Sequence, residues 1–194
     1  GAAIVKQEAV IQSSALPART NSTGSTLNIV DQADLKLNGK ALSALPLANG
    51  TSLTSAAVVS WLNSNISTHG LALVAKAENV IDISRQDIDL NASSLSINGS
   101  TINLPSPMNS LVDLANAINQ STSDTNVEAV IGVNNSLRLQ NTAGNEAASI
   151  EFDSPASVFK SLTGEVRAAI KIEATRTGGD SSQKEVALTL SSQG

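Results

Sequence analysis

Between Leu95 and Phe152 the spacing of apolar positions changes twice, from alternation to a helical repeat and back to alternation. Leu95 and Ile97 alternate with polar residues, Asn98-Gly99 interrupts them, and Ile102 and Leu104 resume the pattern. Asn-Gly between alternating apolar residues predicts a tight hairpin, because both residues tolerate the positive φ of a type I′ turn. Ser110, followed three residues on by Asp113, predicts a helix start, since both side chains can take up N–H groups that the first turn leaves unpaired. Leu111, Leu114, Ala115 and Ile118 then share one helical face. Asn119 and the polar run Gln120 to Asn126 end the helix. Val127, Ala129 and Ile131 alternate, Asn134-Asn135 turns the chain, and Leu137 and Leu139 alternate again. Ile150 and Phe152 close a hairpin–helix–hairpin unit.

A weaker version precedes it. Leu35-Lys-Leu37-Asn38-Gly39 matches Leu95-Ser-Ile97-Asn98-Gly99. A helix is predicted from about Ser52 to Asn63, with Ala56, Val59, Trp61 and Leu62 apolar, and Leu62-Asn63 matches Ile118-Asn119. Leu71 is aligned with Val127, and Ile81-Asp-Ile83 with Leu137-Arg-Leu139. Between hairpin and helix the first copy carries four more residues, a difference that loops absorb at small cost. The pattern predicts two tandem modules, roughly 28–84 and 90–152.

The flanks complete the layout. Residues 1–27 read as an N-terminal strand, rich in Ile4, Val5, Val10 and Ile11, followed by a linker from Ser13 to Ser25. The first module then spans 28–84 and the second, with its approach, 85–152. Residues 153–194 read as a connector and a hairpin, about 165–176 with 183–191, turning at Gly178-Gly179-Asp180. That hairpin is expected to share one sheet with the N-terminal strand, bringing the ends of the segment together. The predicted fold class is α+β and strand-rich: each module packs one short helix on a small antiparallel sheet, and the terminal strands form a further sheet.

Composition narrows the function. A net charge of -5 argues against sequence-independent nucleic-acid binding, which needs a basic surface. No apolar run approaches the ~20 residues of a membrane-spanning helix, and no basic-then-apolar leader stands at the start. With no cysteine, disulfides and thiolate metal sites are excluded. Aromatic residues are 2 % of the chain, so the core must be built from Leu, Ile, Val and Ala. The charged fraction is 15 %, below the usual quarter, and Ser, Thr, Asn and Ala dominate the remainder, as in exported surface or structural proteins.

The residues able to carry chemistry do not assemble into a motif. His69 is the single histidine and lies between helix and strand, where a solvated loop residue is expected. Asp87-x-Asp89-x-Asn91 starts like a calcium loop, but Ala92 and Asn98 stand where that loop needs Gly and Glu, so a half-exposed strand is expected. Asp31, Asp34, Glu146, Glu151 and Asp153 are scattered carboxylates. Gly178-Gly179 lacks the spacing of a phosphate loop. Trp61 at helical spacing reads as core. Asn-x-Ser/Thr occurs at Asn21, Asn49, Asn65, Asn91, Asn98 and Asn119, as expected by chance in this composition. No catalytic, cofactor-binding or metal-ligating residue is nominated, no cofactor is expected, and the chain is not expected to be an enzyme.

The unit 95–152 resembles the bacterial flagellin hook IN motif of flagellins and flagellar hook-associated and cap proteins. The matching elements are Ile97-Asn98-Gly99, Ala117-Ile118-Asn119, Val127-Glu-Ala129, and Leu137-Arg-Leu139 with Gly144. The first copy departs from that pattern, with Trp61-Leu62-Asn63 for Ala-Ile-Asn and Leu71-Ala-Leu73 for Val-x-Ala. The resemblance implies a solvent-facing outer domain of a flagellar axial protein, exported through the flagellar type III channel and assembled into filament, junction or cap for cell motility. Its implied partners are neighbouring flagellar subunits, with a host receptor or antibody recognising the exposed surface; nucleic acid and membrane are not among them. No heptads run through residues 1–30 or 165–194, so the resemblance implies a central region without the helices that polymerise such proteins, and hence a monomeric fragment. A phage-tail or other virion structural domain and a carbohydrate-binding adhesin module stay open. The latter would have only Trp61, Phe152 and Phe159 as sugar platforms.

Overall fold

A computed structural model describes residues 2–8, 10–12, 19–175 and 186–191. The fold is mixed α+β, with several antiparallel sheets and a few short helices. In chain order the early elements are β1 (Ala2–Glu8), β2 (Val10–Gln12), β3 (Leu27–Val30), β4 (Leu35–Leu37), β5 (Lys40–Ala41), β6 (Leu45–Leu47), α1 (Ser55–Thr68) and β7 (Leu73–Glu78). Next come β8 (Val80–Ile83), a 3-10 turn at Arg85–Asp87, β9 (Ser96–Ile97), β10 (Ser100–Thr101), α2 (Leu111–Gln120) and α3 (Thr122–Thr125). The last are β11 (Val127–Gly132), β12 (Ser136–Asn141), β13 (Ile150–Phe152), β14 (Gly164–Val166), β15 (Ala169–Ala174) and β16 (Val186–Ser191).

Two compact units result. One combines residues 1–77 with 169–194; the other is the uninterrupted stretch 78–168. The split unit holds a four-stranded sheet in the order β1-β16-β4-β5, a three-stranded sheet β2-β15-β7, and the pair β3-β6. The continuous unit holds a four-stranded sheet β10-β9-β13-β14 and a three-stranded sheet β11-β12-β8.

Local chemistry explains the elements. Asn38 and Gly39 take φ of 48° and 77°, and Asn98 and Gly99 take 52° and 78°, the positive values that a type I′ turn demands. The Thr54 hydroxyl caps α1 by accepting the Ala57 N–H at 3.1 Å. At α2 the Ser110 hydroxyl accepts the Asp113 N–H, and the Asp113 carboxylate reaches back to the Asn109 N–H at 2.8 Å. Asn126, in the left-handed region at φ 58°, ends α3.

Each unit has its own apolar core. In the continuous unit Leu114 and Ile118 of α2 lie over Leu137, Leu139 and Ile150, all fully buried, beside an edge-to-face Phe152–Phe159 pair 5.7 Å apart. In the split unit Leu62 and Ile66 of α1 join Leu37, Leu42, Leu73, Ile170, Ile172 and Val186. Trp61 packs at the margin of that core, and its ring N–H donates to Ser43. The apolar stripe Leu111, Leu114, Ala115 and Ile118 read from sequence is thus a buried face, whereas Ala56 and Ile131, read into the stripes of their own elements, are exposed.

Several expectations are corrected. The first helix runs from Ser55 to Thr68, later than expected at both ends. Its polar C-terminal half stays helical because Asn65 is buried and bonded to Ser43 and to the Trp61 carbonyl. Ile81–Ile83 is not the counterpart of Leu137–Leu139 but its sheet neighbour, with Ile83 opposite Leu137 and Ile81 opposite Leu139. Residues 78–84 accordingly belong with the continuous unit. Residues 165–176 and 183–191 do not form one hairpin among the described residues. Both edges of β15 are taken by β2 and β7, while β16 pairs with β1 and β4. The N-terminal segment therefore meets the C-terminal one in two sheets, with Ala2 opposite Ser191 and Val10 opposite Glu173. The expected turn at Gly178-Gly179-Asp180, and Ser13–Ala18 of the linker, lie outside the described residues.

Candidate functional surface

The most specific side-chain geometry lies where helix meets sheet. Asn119, at the end of α2, donates its amide to the Ala129 carbonyl at 2.9 Å and accepts the Ala129 N–H at 2.8 Å. β11 is an edge strand, so these backbone groups have no strand partner on that side. The amide side chain thus acts as a one-residue pseudo-strand. Asn63 of α1 does the same to Ala75 on the edge strand β7, with both bonds at 2.9 Å. This geometry also corrects an alignment. The strand residue held by Asn63 is Ala75, so Leu73-Val-Ala75, and not Leu71-Ala-Leu73, takes the place beside Asn63 that Val127-Glu-Ala129 takes beside Asn119. Both readings alternate, and only the tertiary partner of Asn63 separates them.

Other asparagines are also structural. Asn21 is 2 % exposed and donates to the Leu47 and Ser25 carbonyls. Asn79 is 5 % exposed and ties Ala148 to Val166. Asn98 bonds both Thr125 and Glu151. Of the seven Asn-x-Ser/Thr sites, which include Asn134 as well as the six named above, Asn21, Asn65, Asn98 and Asn119 use their amides to hold the fold, as does Asn49, which accepts the Gly24 N–H.

Of the exposed large apolar residues among those described, Val80 and Val112 stand apart, and the other three lie at the end of β11 and in the turn after it. Val133 is 83 % exposed, Val130 49 % and Ile131 41 %. They edge a shallow concavity of about 650 Å³ that also involves Asp82, Ser84 and Arg138. Arg138 donates to both Asp82 oxygens, at 2.9 and 3.3 Å, across the β12–β8 pair. Hydrogen bonding to that carboxylate raises the guanidinium's pKa. Both partners are about half exposed, so the pair adds little stability. Gly132 begins the turn because a side chain there would press on the Ser136 hydroxyl, which donates to the Val133 carbonyl.

The titratable groups weighed from sequence are dispersed. His69 lies in the turn between α1 and β7, where the sequence placed it; it caps the C-terminus of α1, half-buried, with Nε2 2.9 Å from the Ala41 carbonyl. Asp87 ends the 3-10 turn and Asp89 follows an isolated antiparallel bridge of Ile88 to Phe159, so the pairing is a single bridge and not a regular strand; beyond it the Asp89 carboxylate accepts the Asn91 N–H and closes a local turn. Asp153 accepts the Ser96 N–H and the Ser157 hydroxyl. Glu146 accepts the Gly144 N–H, which lowers its pKa. Glu173, hydrogen-bonded first by Lys171 and then by Lys76, also has a lowered pKa. Phe152 and Phe159 are buried and offer no platform to a sugar. Among the described residues no three His, Cys, Asp or Glu side chains converge. No helix among them is long and apolar enough to cross a membrane.

What the arrangement offers is, in each unit, a helix tied to an edge strand by an asparagine amide. No family model matches the chain, and no curated protein matches it in sequence.

Proposed function

We propose that this chain is a structural outer region of a bacterial flagellar axial protein, built from two copies of one hairpin–helix–strand module, and that it acts by packing and display. The observation that carries the reading is the paired clamp. The Asn that ends the Ala-Ile-Asn element of the hook IN-like pattern, and its counterpart Asn63, each lock the middle residue of the following edge strand with two hydrogen bonds. A motif whose polar residue is consumed in closing a sheet edge specifies packing, not catalysis. An edge blocked in this way resists uncontrolled strand pairing between copies, which suits a subunit displayed at high density. The partners would be neighbouring flagellar subunits, the location extracellular, and the route the flagellar export channel. The adhesin alternative loses support because two of its three aromatic residues are in the core.

The test is the full-length gene together with immunogold labelling of cells. Flanking heptad helices, and antibody decoration of filament or hook junction, are expected. Flanks that encode tail or capsid parts, or labelling confined to the cell wall, would overturn the reading.

A further inference from the structure

The second unit leaves the first at a position that has a counterpart within the second unit itself. Glu78 ends β7, Ala169 begins β15, and the chain between them is the continuous unit. Gly132 ends β11, Ser136 begins β12, and the chain between them is only Val133-Asn134-Asn135. The two strand pairs have the same frame. Beyond the end of one, the Thr142 N–H donates to the Asn126 carbonyl; beyond the end of the other, the Thr175 N–H donates to the Ala72 carbonyl, both at 2.9 Å.

The neighbouring strands repeat the correspondence. Ile81 faces Leu139 and Val80 faces Gln140, as Ile11 faces Ile172 and Val10 faces Glu173. In the other sheet Phe152 faces Ile97, just before Asn98-Gly99, as Leu188 faces Leu37, just before Asn38-Gly39. One connection differs. Glu8 and Val10 are joined through Ala9, whereas their counterparts Val166 and Val80 are distant in sequence. Across that gap the Asn79 amide donates to the Val166 carbonyl at 2.9 Å, a hydrogen bond where the first unit has a peptide link. The ends of the second unit therefore lie side by side, the geometry that a domain needs to be carried by a hairpin.

We propose that the tip Val133–Asn135 is a domain-insertion port, equivalent in the second unit to the place where the first unit carries the second. Its occupant would be a folded domain with adjacent ends. The tip fits the role: Val133 is 83 % exposed, and Asn134 and Asn135 lie at φ of 56° and 55° without a side-chain hydrogen bond among the described residues. The proposal rests on the two-copy reading, so its test keeps the two apart.

A small folded domain with adjacent ends is inserted into the full chain between Asn134 and Asn135, and amide exchange of β11 and β12 is followed. Exchange there should change by less than about tenfold. The same insertion between Asn98 and Gly99, where Asn98 holds Thr125 and Glu151, should accelerate it by more than about a hundredfold. Equal acceleration by both insertions would overturn the port. The two-copy reading has its own readout in the same chain: Asn63→Ala should free the Ala75 amide as Asn119→Ala frees that of Ala129. Parallel losses together with a disruptive tip insertion would leave the copies standing and remove the port; unlike losses would remove both.

Discussion

At the scale of single residues, asparagine does the work that aromatic and charged residues do in many domains. A side-chain amide carries a donor and an acceptor, so it can satisfy one edge residue completely. Asn119→Ala leaves the Ala129 N–H and carbonyl without their partner and should destabilise the protein by about 1–3 kcal/mol, measured by denaturant unfolding. Asn119→Asp should not rescue it, because a carboxylate cannot donate to the Ala129 carbonyl. Exposed charges matter less: Asp82→Ala or Arg138→Ala should leave the unfolding midpoint unchanged within error. Glu173 is the pH-sensitive case. Its folded pKa lies below the ordinary 4.5, so its contribution is fully present above that value and is lost as pH falls through and below it. Glu173→Gln should therefore flatten the acid limb of stability against pH and leave its slope near neutrality unchanged; an unchanged acid limb would show that the two lysines contribute nothing.

At the scale of elements, the same devices appear in both units: an Asn-Gly hairpin, a hydroxyl-capped helix, and a helix asparagine whose amide holds the next strand. The turns are specified by backbone conformation. Gly99 sits at φ 78°, so Gly99→Ala strains the hairpin although there is open space for the methyl group. A loss of about 1 kcal/mol is expected by denaturant titration. The helices are held by their buried faces more than by propensity. Leu114 is fully buried between helix and sheet, and Leu114→Ala should cost about 2–5 kcal/mol through lost transfer energy and the cavity left behind.

At the scale of the whole molecule, the chain is one unit interrupted by another, not two in a row. Chain continuity thus separates β7 from β15, which are neighbours in one sheet. The amide clamps shield the middle residues of the edge strands β7 and β11 from pairing with other chains. The chain is therefore expected to remain monomeric by light scattering, and a stable dimer would contradict the proposed role of the clamps.

The sequence by itself determined what depends on neighbours along the chain. Asn38-Gly39 and Asn98-Gly99 announce their turns because few other residues accept positive φ. The spacing of Leu111, Leu114 and Ile118 announces a buried face because the helical period is fixed. The likeness of Leu35–Gly39 to Leu95–Gly99 and of Leu62-Asn63 to Ile118-Asn119, on which the two-copy proposal rests in the sequence, is of the same local kind. Only the tertiary structure decided the pairings that cross long stretches of chain. Alternation in Val166–Ile172 and Val186–Leu190 announces strand, but it cannot say that the first stretch is divided between β14 and β15, nor which strands lie beside each. Ile81–Ile83 and Leu137–Leu139 look alike because neighbours in one sheet obey the same alternation as copies do. The clamp on Ala75 was hidden for a related reason. Asn63 reads in sequence as the end of a helix that in fact runs on to Thr68, and its two hydrogen bonds exist only once the next strand has folded back against it.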